Sequence, residues 1–564
     1  MRYSKHLHSV ATSQLDSARA DQKQNHAGGH TFGIDLWQRL DRFLVLGSEG
    51  GSFYVAEKSL TIENARVVLD CVAADGVATV ARITEVSVRG LAPKNDAALF
   101  ALAIASGADD VETRRAALAA LPKVARTGTH LFHFVADAEG FRRWGRALRR
   151  AVARWYTEKS AADLALQLLK YRQRDGWSHK DVMRLSHPVP PTPEHAALFR
   201  YALGAELGER KVKRGDTERV YGAVGGLSPF VGAFEEAQHT DDVRRVVELV
   251  RAHGLTHEML PTQWKNHREV WEALLDRMPM TAMVRSLGKM AEVGLLEPLS
   301  DASKLVASRL GDASAIRKAR LHPLSILVAH NVFARGRGVK GKLSWTPDRV
   351  IVDALDAAFY FAFDSIVPTG KKILLALDVS GSMEGPEIAG MPGITPRLGS
   401  AAMAMVTART ESDWAVVGFS SGAPGEFTSS SGRSRHAGFR AGLTPLSISP
   451  RQRLNDVVDT VRAVPMGGTD CALPMLYATA RKMKVDAFVI YTDSETWAGD
   501  IHPFEALRRY RQAMSQPEAK LIVVGMVASE FTIADPKDPN MLDVVGFSSD
   551  VPRVMSDFIR GRAH

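Results

Sequence analysis

The sequence of 564 residues contains only two cysteines, Cys71 and Cys471, which lie far apart. They indicate neither a disulfide framework nor a thiolate metal cluster, and their scarcity fits a reducing cytoplasm best. Long apolar runs are also missing: residues 357–363 form the longest in the middle of the chain, whereas a membrane span needs about 18 residues. The N-terminus lacks the apolar core of about 7 to 15 residues that a secretory signal requires. We therefore expect a cytoplasmic protein with no membrane partner.

A crisp internal repeat is absent as well, although apolar residues follow a helical period over most of residues 70–360. Within residues 141–156, Trp144, Leu148 and Trp155 recur at helical spacing and mark one face of a helix. Helix-sized segments separated by short breaks are typical of an antiparallel stack of helix pairs. The pattern predicts a mainly α-helical first part with the architecture of a degenerate α-solenoid.

After residue 364 the pattern changes to short apolar strands that alternate with helical stretches. The alternation predicts an α/β domain with a doubly wound parallel sheet. The predicted strands are residues 373–377, 414–419, 487–491 and 521–527, and the predicted helices are residues 397–411, 451–463, 471–483 and 502–514. In such sheets ligands bind beyond the carboxyl ends of the strands, where the strand order reverses.

The net charge of +9 is distributed unevenly along the chain. The part from Ile366 onward contains 21 Lys and Arg against 21 Asp and Glu, so the whole excess lies before it. Residues 142–184 alone contain 12 basic against 4 acidic side chains. The helix predicted around Trp144 is expected to present a cationic face formed by Arg142, Arg146, Arg149 and Arg150. Because cationic faces gain affinity for phosphates through counterion release, we expect the helical part to hold the surface for an RNA partner.

Residues 170–181, KYRQRDGWSHKD, combine basic and aromatic side chains. The basic members, suited to phosphate contacts, are Lys170, Arg172 and Arg174, and the members suited to base stacking are Tyr171, Trp177 and His179. This mixture predicts contacts with single-stranded RNA. The alternative is a solvated charged face, with Tyr171 and Trp177 in the hydrophobic core.

Three short polar segments contain the residue types of a divalent-metal site. DVSGSM places Asp378, Ser380 and Ser382 after a predicted strand, MGGTD contains Thr469, and YTDSE places Asp493 at the end of another strand. Magnesium prefers hard oxygen ligands in near-octahedral geometry. The sequence therefore predicts a magnesium site formed by these five residues.

The alternative is that Asp378 caps its own loop and Thr469 caps the helix that begins near Cys471. If the metal is present, hydroxyl ligands leave it electron-poor and able to accept a carboxylate from a partner. We identify no nearby histidine or third carboxylate as an obvious general base. The predicted site is therefore adhesive rather than catalytic.

In their order and at strand ends, the three polar segments resemble the metal-ion-dependent adhesion site of von Willebrand factor A domains. Both parts of the chain contain further distinctive segments: AGGHTFGIDLWQRLDRFLVLGSEGGSFY, RTGTHLF, LLKYRQRDGWSHKDVMRLSHP, LPTQWKNHREVWEALL, MPMTAMVRSLGKM, HPLSILVAHNVFARG, LALDVSGSM, MGGTDCALPMLYA and YTDSETWAG. Through these segments the chain, from about residue 25 to the end, resembles the Ro ribonucleoprotein autoantigen family, most of all its bacterial members.

The resemblance implies an N-terminal arm in residues 1–24 and a TROVE domain in residues 25–364, in which HEAT-like helical repeats close into a monomeric ring. A von Willebrand factor A-like domain follows in residues 365–564. The resemblance further implies a noncatalytic protein that binds Y-like small noncoding RNA on the outside of the ring. It also implies that single-stranded ends of misfolded or decaying RNA enter the hole of the ring and that an exoribonuclease cooperates with the protein in RNA quality control.

Matching the motifs of the family onto this sequence implies a set of residues on the RNA-binding surface. They are Lys170, Arg172, Arg174, His179, Lys180, Arg184 and His187. His187 is equally compatible with a buried, hydrogen-bonded histidine. Two other functions stay open: a metal-dependent adaptor that captures a carboxylate of a partner protein and binds RNA incidentally, and a metal-dependent nuclease.

Overall fold

The protein folds into a helical N-terminal domain and an α/β C-terminal domain. The computed structural model describes residues 11–47, 65–204, 227–339, 343–363, 366–385, 387–388, 391–421, 427–428 and 441–562. Residues 1–10 of the predicted arm and the predicted domain boundary at residues 364–365 lie outside these ranges.

Two short β-ribbons accompany the helices of the first domain. Its strands are β1 (Gln22–Gln24), β2 (His30–Gly33), β3 (Gln173–Arg174) and β4 (Trp177–Ser178). Its helices are α1 (Leu36–Leu46), α2 (Arg66–Arg89), α3 (Asp96–Ser106), α4 (Val111–Val124), α5 (Gly128–Phe141), α6 (Arg146–Thr157), α7 (Ala161–Lys170), α8 (His179–Ser186), α9 (Pro193–Ala202), α10 (Pro229–His239), α11 (Val243–His253), α12 (Arg268–Leu275), α13 (Met280–Glu292), α14 (Asp301–Gly311), α15 (Ala313–Ala319), α16 (Pro323–Ala334) and α17 (Arg349–Phe361).

A tight hairpin and two capped helices form the segment that the sequence marks as basic. Ser160 caps α7 by accepting a backbone hydrogen bond, and Ser178 and Asp181 form a reciprocal capping box at the start of α8. β3 and β4 pair antiparallel through Asp175 and Gly176, whose φ values of 51° and 78° are those of a two-residue hairpin turn. The short polar sequence therefore fixes where the basic side chains emerge.

The single helix predicted for residues 141–156 is wrong, because a break separates α5 from α6. Arg142 has an extended backbone, with φ −154° and ψ 154°, and its side chain donates to the backbone carbonyl of Ser106. Gly145, also extended, precedes α6, which begins at Arg146. Because the side chain of Arg142 is bonded to the end of α3, it does not belong to the predicted cationic face.

The helical array closes on itself, as the family resemblance implies. Helices that are one or two places apart in chain order pack on each other, for example α2 on α4, α3 on α5, α4 on α6 and α16 on α17. At the closing contact His322 Nε2, just before α16, donates to the Leu91 carbonyl at 3.1 Å. Arg320 likewise donates to the Val88 carbonyl at 3.0 Å. The last helices of the domain therefore meet the end of α2.

The α/β domain is built on a seven-stranded sheet. The strands of the domain are β5 (Ile373–Asp378), β6 (Trp414–Ser421), β7 (Phe427–Thr428), β8 (Ala441–Pro445), β9 (Ala487–Thr492), β10 (Lys520–Gly525), β11 (Phe531–Thr532) and β12 (Met541–Val545). The short β11 lies outside the seven-stranded sheet. The helices of the domain are α18 (Pro396–Thr410), α19 (Leu454–Arg462), α20 (Leu473–Ala480), α21 (Pro503–Ala513) and α22 (Val551–Ile559).

The order of strands in the main sheet is β12-β10-β9-β5-β6-β8-β7. Five of them, β12 to β6 in that order, are parallel, and the buried apolar runs of β5 and β9 are neighbours. The predicted doubly wound parallel sheet is confirmed for these strands, and the sequence did not predict the further edge at which β8 and β7 pair antiparallel. β8 contains Gly442 and Pro445, so its sequence has little of the apolar signal by which the parallel strands were predicted.

The described part of the N-terminal segment is joined to the C-terminal domain. β2 pairs with β1 on one side and with β11 on the other, which makes a three-stranded sheet from both ends of the chain. Arg42 of α1 is buried against Asp543 of β12. Within the described ranges, no helix combines the length and apolar character needed to cross a bilayer.

Candidate metal site and basic surface

Asp378 ends β5 and begins the first predicted metal loop. One of its carboxylate oxygens, Oδ1, accepts from the Ser380 N–H at 3.0 Å, and the other, Oδ2, accepts from the Thr492 hydroxyl at 2.7 Å. The hydroxyl oxygens of Ser380 and Ser382 lie 3.0 Å apart. The loop therefore turns one carboxylate and two hydroxyls into the same small region, as the Asp-x-Ser-x-Ser spacing predicts.

The other two predicted segments reach the same edge of the sheet. Asp493 follows β9, the direct neighbour of β5, and its Oδ1 accepts from the Glu495 N–H at 3.0 Å. The backbone N–H of Gly381 donates to the Gly467 carbonyl at 3.4 Å, which connects the first loop to the loop that contains Thr469. All five predicted positions are at least 96% buried.

Two polar atoms of the five predicted residues are buried without a hydrogen-bond partner among the described residues: the Thr469 hydroxyl and Asp493 Oδ2. Burial raises the pKa of Asp378 and of Asp493, and the charge of Asp493 raises that of Asp378 further. A buried oxygen without a partner is costly unless an ion or water satisfies it. Two carboxylates and three hydroxyls are hard oxygen donors, so the side chains present fit a divalent cation such as magnesium.

The capping alternative fails for Thr469, because Asp470 rather than Thr469 accepts from the Ala472 N–H near the start of α20. It holds in part for Asp378, which accepts a backbone hydrogen bond within its own loop. Among the described residues, no group of three or more His, Cys, Asp or Glu side chains is placed to hold a metal. A metal here depends on the serine and threonine hydroxyls.

A third carboxylate and a histidine lie near the site, although the sequence singled out neither of them as a general base. The carboxylate of Glu495 is fully buried beside Asp493 and accepts from the N–H of Ala27 at 3.0 Å. His26 Nδ1 lies 2.7 Å from its other oxygen. Because both oxygens of Glu495 are engaged by the N-terminal segment, the residue connects that segment to the site.

Sequence reasoning also missed Thr492 and Gln14. Thr492 stands directly before Asp493 in the YTDSE segment, so its place at the strand end was a usable signal. Gln14 donates to Asp470 Oδ1 and to the Ile501 carbonyl, both at 2.8 Å. Because Gln14 lies more than 450 residues away in sequence, no local pattern indicates this contact.

The predicted RNA-binding residues lie along one segment that runs from the end of α7 through the β3-β4 hairpin to the end of α8. Arg172, Arg174, Arg184 and His187 are exposed, and Lys180 is half-buried. Among the described residues, Arg172 and Arg184 have no carboxylate partner. His187 is thus not the buried histidine of the alternative, and it ends α8 with φ 48°.

A groove of about 620 Å³ lies beside this hairpin, and we call it the basic groove. Residues that line it include Arg172, Gln173, Lys180, Tyr201 and Glu235. The Tyr201 hydroxyl donates a hydrogen bond to the Glu235 carboxylate. The cations Arg172 and Lys180 line the same groove. The groove therefore combines phosphate-binding side chains with an aromatic ring.

His179 is wrongly predicted as a surface residue, because its side chain is only 4% exposed. Its Nδ1 lies 3.0 Å from the Tyr156 hydroxyl, and its ring packs on Phe132 with centroids 4.7 Å apart. Burial lowers the pKa of His179 to about 4, so the imidazole is neutral at pH 7. The residue anchors the start of α8 beneath the basic surface.

Lys170 lies apart from the basic groove. Its side chain is 14% exposed, and its Nζ is 3.2 Å from Glu258 Oε1. Tyr171 and Trp177 are half-buried, so their exposure is intermediate between that of a free stacking ring and that of a core residue. Trp177 packs against Trp144 with ring centroids 6.0 Å apart. The structure therefore divides the predicted set into an exposed basic surface, one buried histidine and one lysine beside a different cavity.

Comparisons with known proteins match both domains. The TROVE domain model matches residues 23–249 and 248–333, and the Ro60 vWA domain model matches residues 372–559. A protein named RNA-binding protein RO60 from Deinococcus radiodurans is 40% identical over 548 residues, which cover 96% of each chain. The protein of the same name from Caenorhabditis elegans is 34% identical over 613 residues, covering 97% of this chain and 92% of its own.

A solved structure shows the same fold. The crystal structure of the Deinococcus radiodurans RO (RSR) protein superimposes with a TM-score of 0.67 at 39% sequence identity. The match covers 94% of this chain and 100% of that one. The likeness therefore extends through the helical ring and the α/β domain together.

Proposed function

Because the chain belongs to the Ro60 family of RNA-binding proteins, we propose that it is the protein component of a Ro ribonucleoprotein. It binds a Y-like small noncoding RNA on the outer surface of the ring. It accepts single-stranded ends of misfolded or decaying RNA through the hole of the ring, and it acts without catalysis of its own.

The observation that carries this proposal is the set of exposed basic side chains on the α7-hairpin-α8 segment. Arg172 and Arg184 lack a carboxylate partner among the described residues, so their guanidinium groups are available to phosphates. Arginine binds phosphate in a bidentate manner, and each neutralised phosphate releases counterions. The half-buried Tyr201 in the basic groove adds a ring on which a base can stack.

The cationic face of α6 supports a broad rather than a sequence-reading contact. Arg146, Arg149 and Arg150 are exposed and form no ion pair with any described residue. Together with the hairpin they add exposed basic side chains to the helical domain. Phosphate contacts of this kind position RNA without reading its sequence.

We further propose that the protein works with an exoribonuclease in RNA quality control. The support is the family membership together with the cations and the tyrosine of the basic groove, which suit RNA binding. RNA held in this way presents its structured part to the protein and its end to a separate enzyme.

We propose a magnesium ion at Asp378, Ser380, Ser382, Thr469 and Asp493. Its support is the buried Thr469 hydroxyl and Asp493 Oδ2, neither of which has a hydrogen-bond partner among the described residues. A bound magnesium ion supplies positive charge that holds the three loops together and can accept a carboxylate of a partner protein. The serine and threonine hydroxyls orient that site, and Thr492 and Glu495 hold the two aspartates.

Sequencing the RNA that copurifies with the native protein tests the proposal. A small structured RNA with a defined stem, enriched over total RNA, is the expected result. A parallel purification after ribonuclease treatment tests the adaptor alternative. Partners that are held through RNA are lost by this treatment, whereas a partner protein that is captured at the metal site is retained. Recovery of the same protein partners with no enriched RNA would contradict the proposal and favour the adaptor.

A further inference from the structure

A second cavity, separate from the basic groove, lies between α11, α12 and α13. Its volume is about 270 Å³. Pockets for drug-sized ligands are about 300–1,000 Å³, so this one has room for a single flat ring system rather than an extended ligand. Its apolar walls are formed by Val250, Leu255, Leu274, Met278, Pro279 and Ala282.

Three of the polar side chains that line this cavity lie next to one another and come from two parts of the chain; Arg251, Thr256, Asp276 and Arg277 line it as well. Glu258 lies between Lys170, whose Nζ is 3.2 Å from Oε1, and His257, whose Nδ1 is 3.1 Å from Oε2. The His257 ring packs on Trp271 with centroids 5.6 Å apart, which holds the imidazole at the wall. The cavity therefore presents a cation and a carboxylate side by side above apolar walls.

The protonation states of these groups are those of a hydrogen-bonding site at neutral pH. Burial acts against the charge of Glu258, but the charges of His257 and Lys170 together with hydrogen bonding outweigh it and hold the pKa of this carboxyl below its usual value. Burial also lowers the pKa of His257. A carboxylate has about four lone-pair positions, of which the two neighbours occupy two, so Glu258 can accept further hydrogen bonds from a ligand.

We propose that this cavity binds one unpaired guanine base of the RNA. Glu258 accepts from the guanine N1–H and N2 amine, and Lys170 donates to O6. The apolar walls enclose the ring. The inference rests on the proposed RNA-binding function and adds a base preference to it.

Guanine is favoured because of the order of groups along its pairing edge. It presents an acceptor beside two adjacent donors, which complements a lysine next to a carboxylate. Adenine and cytosine place a ring acceptor where N1–H of guanine lies, and that atom would face the negative carboxylate. Uracil has one donor between two carbonyl oxygens. It can therefore donate a single hydrogen bond to Glu258, and one of its carbonyl oxygens would repel the carboxylate.

The position of Lys170 connects this cavity to the basic groove. Lys170 ends α7 and lines the cavity, whereas Arg172, two residues later, lines the groove. Two residues span at most about 7 Å, a distance comparable to the spacing of nucleotides in a strand. A strand whose phosphates contact Arg172 can therefore turn a neighbouring base toward Glu258.

Fluorescence anisotropy with the full-length protein tests the inference. The probes are an oligouridine of about 12 nucleotides, the same strand with one central guanosine, and the same strand with inosine at that position, which lacks the N2 amine. Each is titrated into the wild type, Glu258→Gln and the matched control Glu272→Gln. Glu272 is exposed on α12 and does not line the cavity.

The wild type and Glu272→Gln are expected to bind the guanosine strand about tenfold or more tightly than oligouridine, because a hydrogen bond to a charged group is strong. Inosine is expected to fall between the two. Glu258→Gln is expected to lose the preference for guanosine while its affinity for oligouridine stays unchanged, which separates base recognition from unfolding.

Each other outcome is decisive. Equal affinity of the wild type for all three strands would overturn the guanine site and leave the proposed function standing. No binding of any strand, or of the RNA that copurifies, would overturn the proposed function and this inference with it. Saturable binding of free GMP combined with indifference to guanosine in RNA would assign the cavity to a nucleotide and overturn its role in RNA binding.

Discussion

Arg42 Nη2 donates to both carboxylate oxygens of Asp543, at 2.7 and 2.8 Å, deep between the first helix and the edge of the sheet. Its Nη1 donates to the Ser529 carbonyl at 2.6 Å and to the Phe531 carbonyl at 3.0 Å. The guanidinium passes so close to Gly525 that a Cβ there would lie 2.9 Å from Nη2. One buried arginine therefore joins the helical domain to three parts of the α/β domain.

Replacing Arg42 by Met is expected to lower the free energy of unfolding by about 3–5 kcal/mol, because Asp543 is left buried without its partner. Urea unfolding followed by circular dichroism measures the change. The control is Glu530→Gln, which removes the exposed ion pair of Arg39 at the same interface and is expected to cost no more than about 1 kcal/mol. Equal losses in the two variants would show that burial of Arg42 does not decide the stability of this interface.

The proposed magnesium site predicts a metal-dependent gain in stability. After treatment with EDTA, addition of magnesium chloride at about 100 times Kd is expected to stabilise the wild type by about 2.7 kcal/mol. Thr469→Val removes one hydroxyl ligand at nearly constant volume, so the gain should shrink or vanish. Thr460→Val, in α19 and outside the site, serves as the control. The measurement is thermal unfolding with and without magnesium. If magnesium stabilises Thr469→Val as much as the wild type, Thr469 is not a ligand.

The buried His179 predicts a loss of stability in acid. Its pKa in the folded protein is about 4, below the usual 6.5, so between these values the unfolded chain binds a proton that the folded one does not. Stability is therefore complete above pH 6.5 and falls as the pH drops toward 4, by about 3 kcal/mol from this one group. His179→Gln should flatten the dependence of unfolding free energy on pH in this range.

The control for that experiment is His187→Asn, because His187 is exposed and asparagine tolerates its positive φ. It should leave the pH dependence of the wild type unchanged. If His179→Gln keeps the full acid dependence, the loss comes from other groups and His179 is not held neutral.

The turn of the basic hairpin provides a separate test of geometry. Gly176 has φ 78°, and a Cβ there would meet nothing within 4 Å, so strain rather than a clash decides the effect of substitution. Gly176→Ala is expected to cost about 1–2 kcal/mol locally and to weaken RNA binding by displacing Arg174. Gly176→Asn, which tolerates positive φ, should bind RNA nearly as well as the wild type. Equal affinity of the alanine and wild-type proteins would mean that the hairpin does not position RNA.

Much of the α/β domain could be predicted because its information is local. The four predicted strands are all present, since continuous apolar runs identify strands that are buried on both faces. The metal segments stand at strand ends for the same reason. The antiparallel edge could not be predicted, because β8 is short and contains Gly442 and Pro445.

The remaining features depend on contacts between residues far apart in sequence. The break before α6 follows from the bond of Arg142 to Ser106, and the burial of His179 follows from its packing on Phe132 and Tyr156. Composition marks both side chains as polar and basic and cannot tell which of them the fold buries. The pairing of Lys170 with Glu258 likewise joins two helical segments that only the ring brings together.

The most direct test of the central claim is RNA binding by a variant in which the exposed basic segment is reversed in charge. Arg172, Arg174 and Arg184 are changed together to Glu, and the affinity for the copurifying RNA is measured at about 0.15 M salt by filter binding. The control changes Lys371, Arg451 and Lys484, exposed on the neutral α/β domain, to Glu in the same way.

The first variant is expected to lose at least about 100-fold in affinity, and its binding should depend less steeply on salt, because fewer phosphates are neutralised. The control variant, with the same change in net charge, should bind within a few-fold of the wild type. Comparable affinity in both variants, with circular dichroism showing both folded, would contradict the claim that this surface binds RNA.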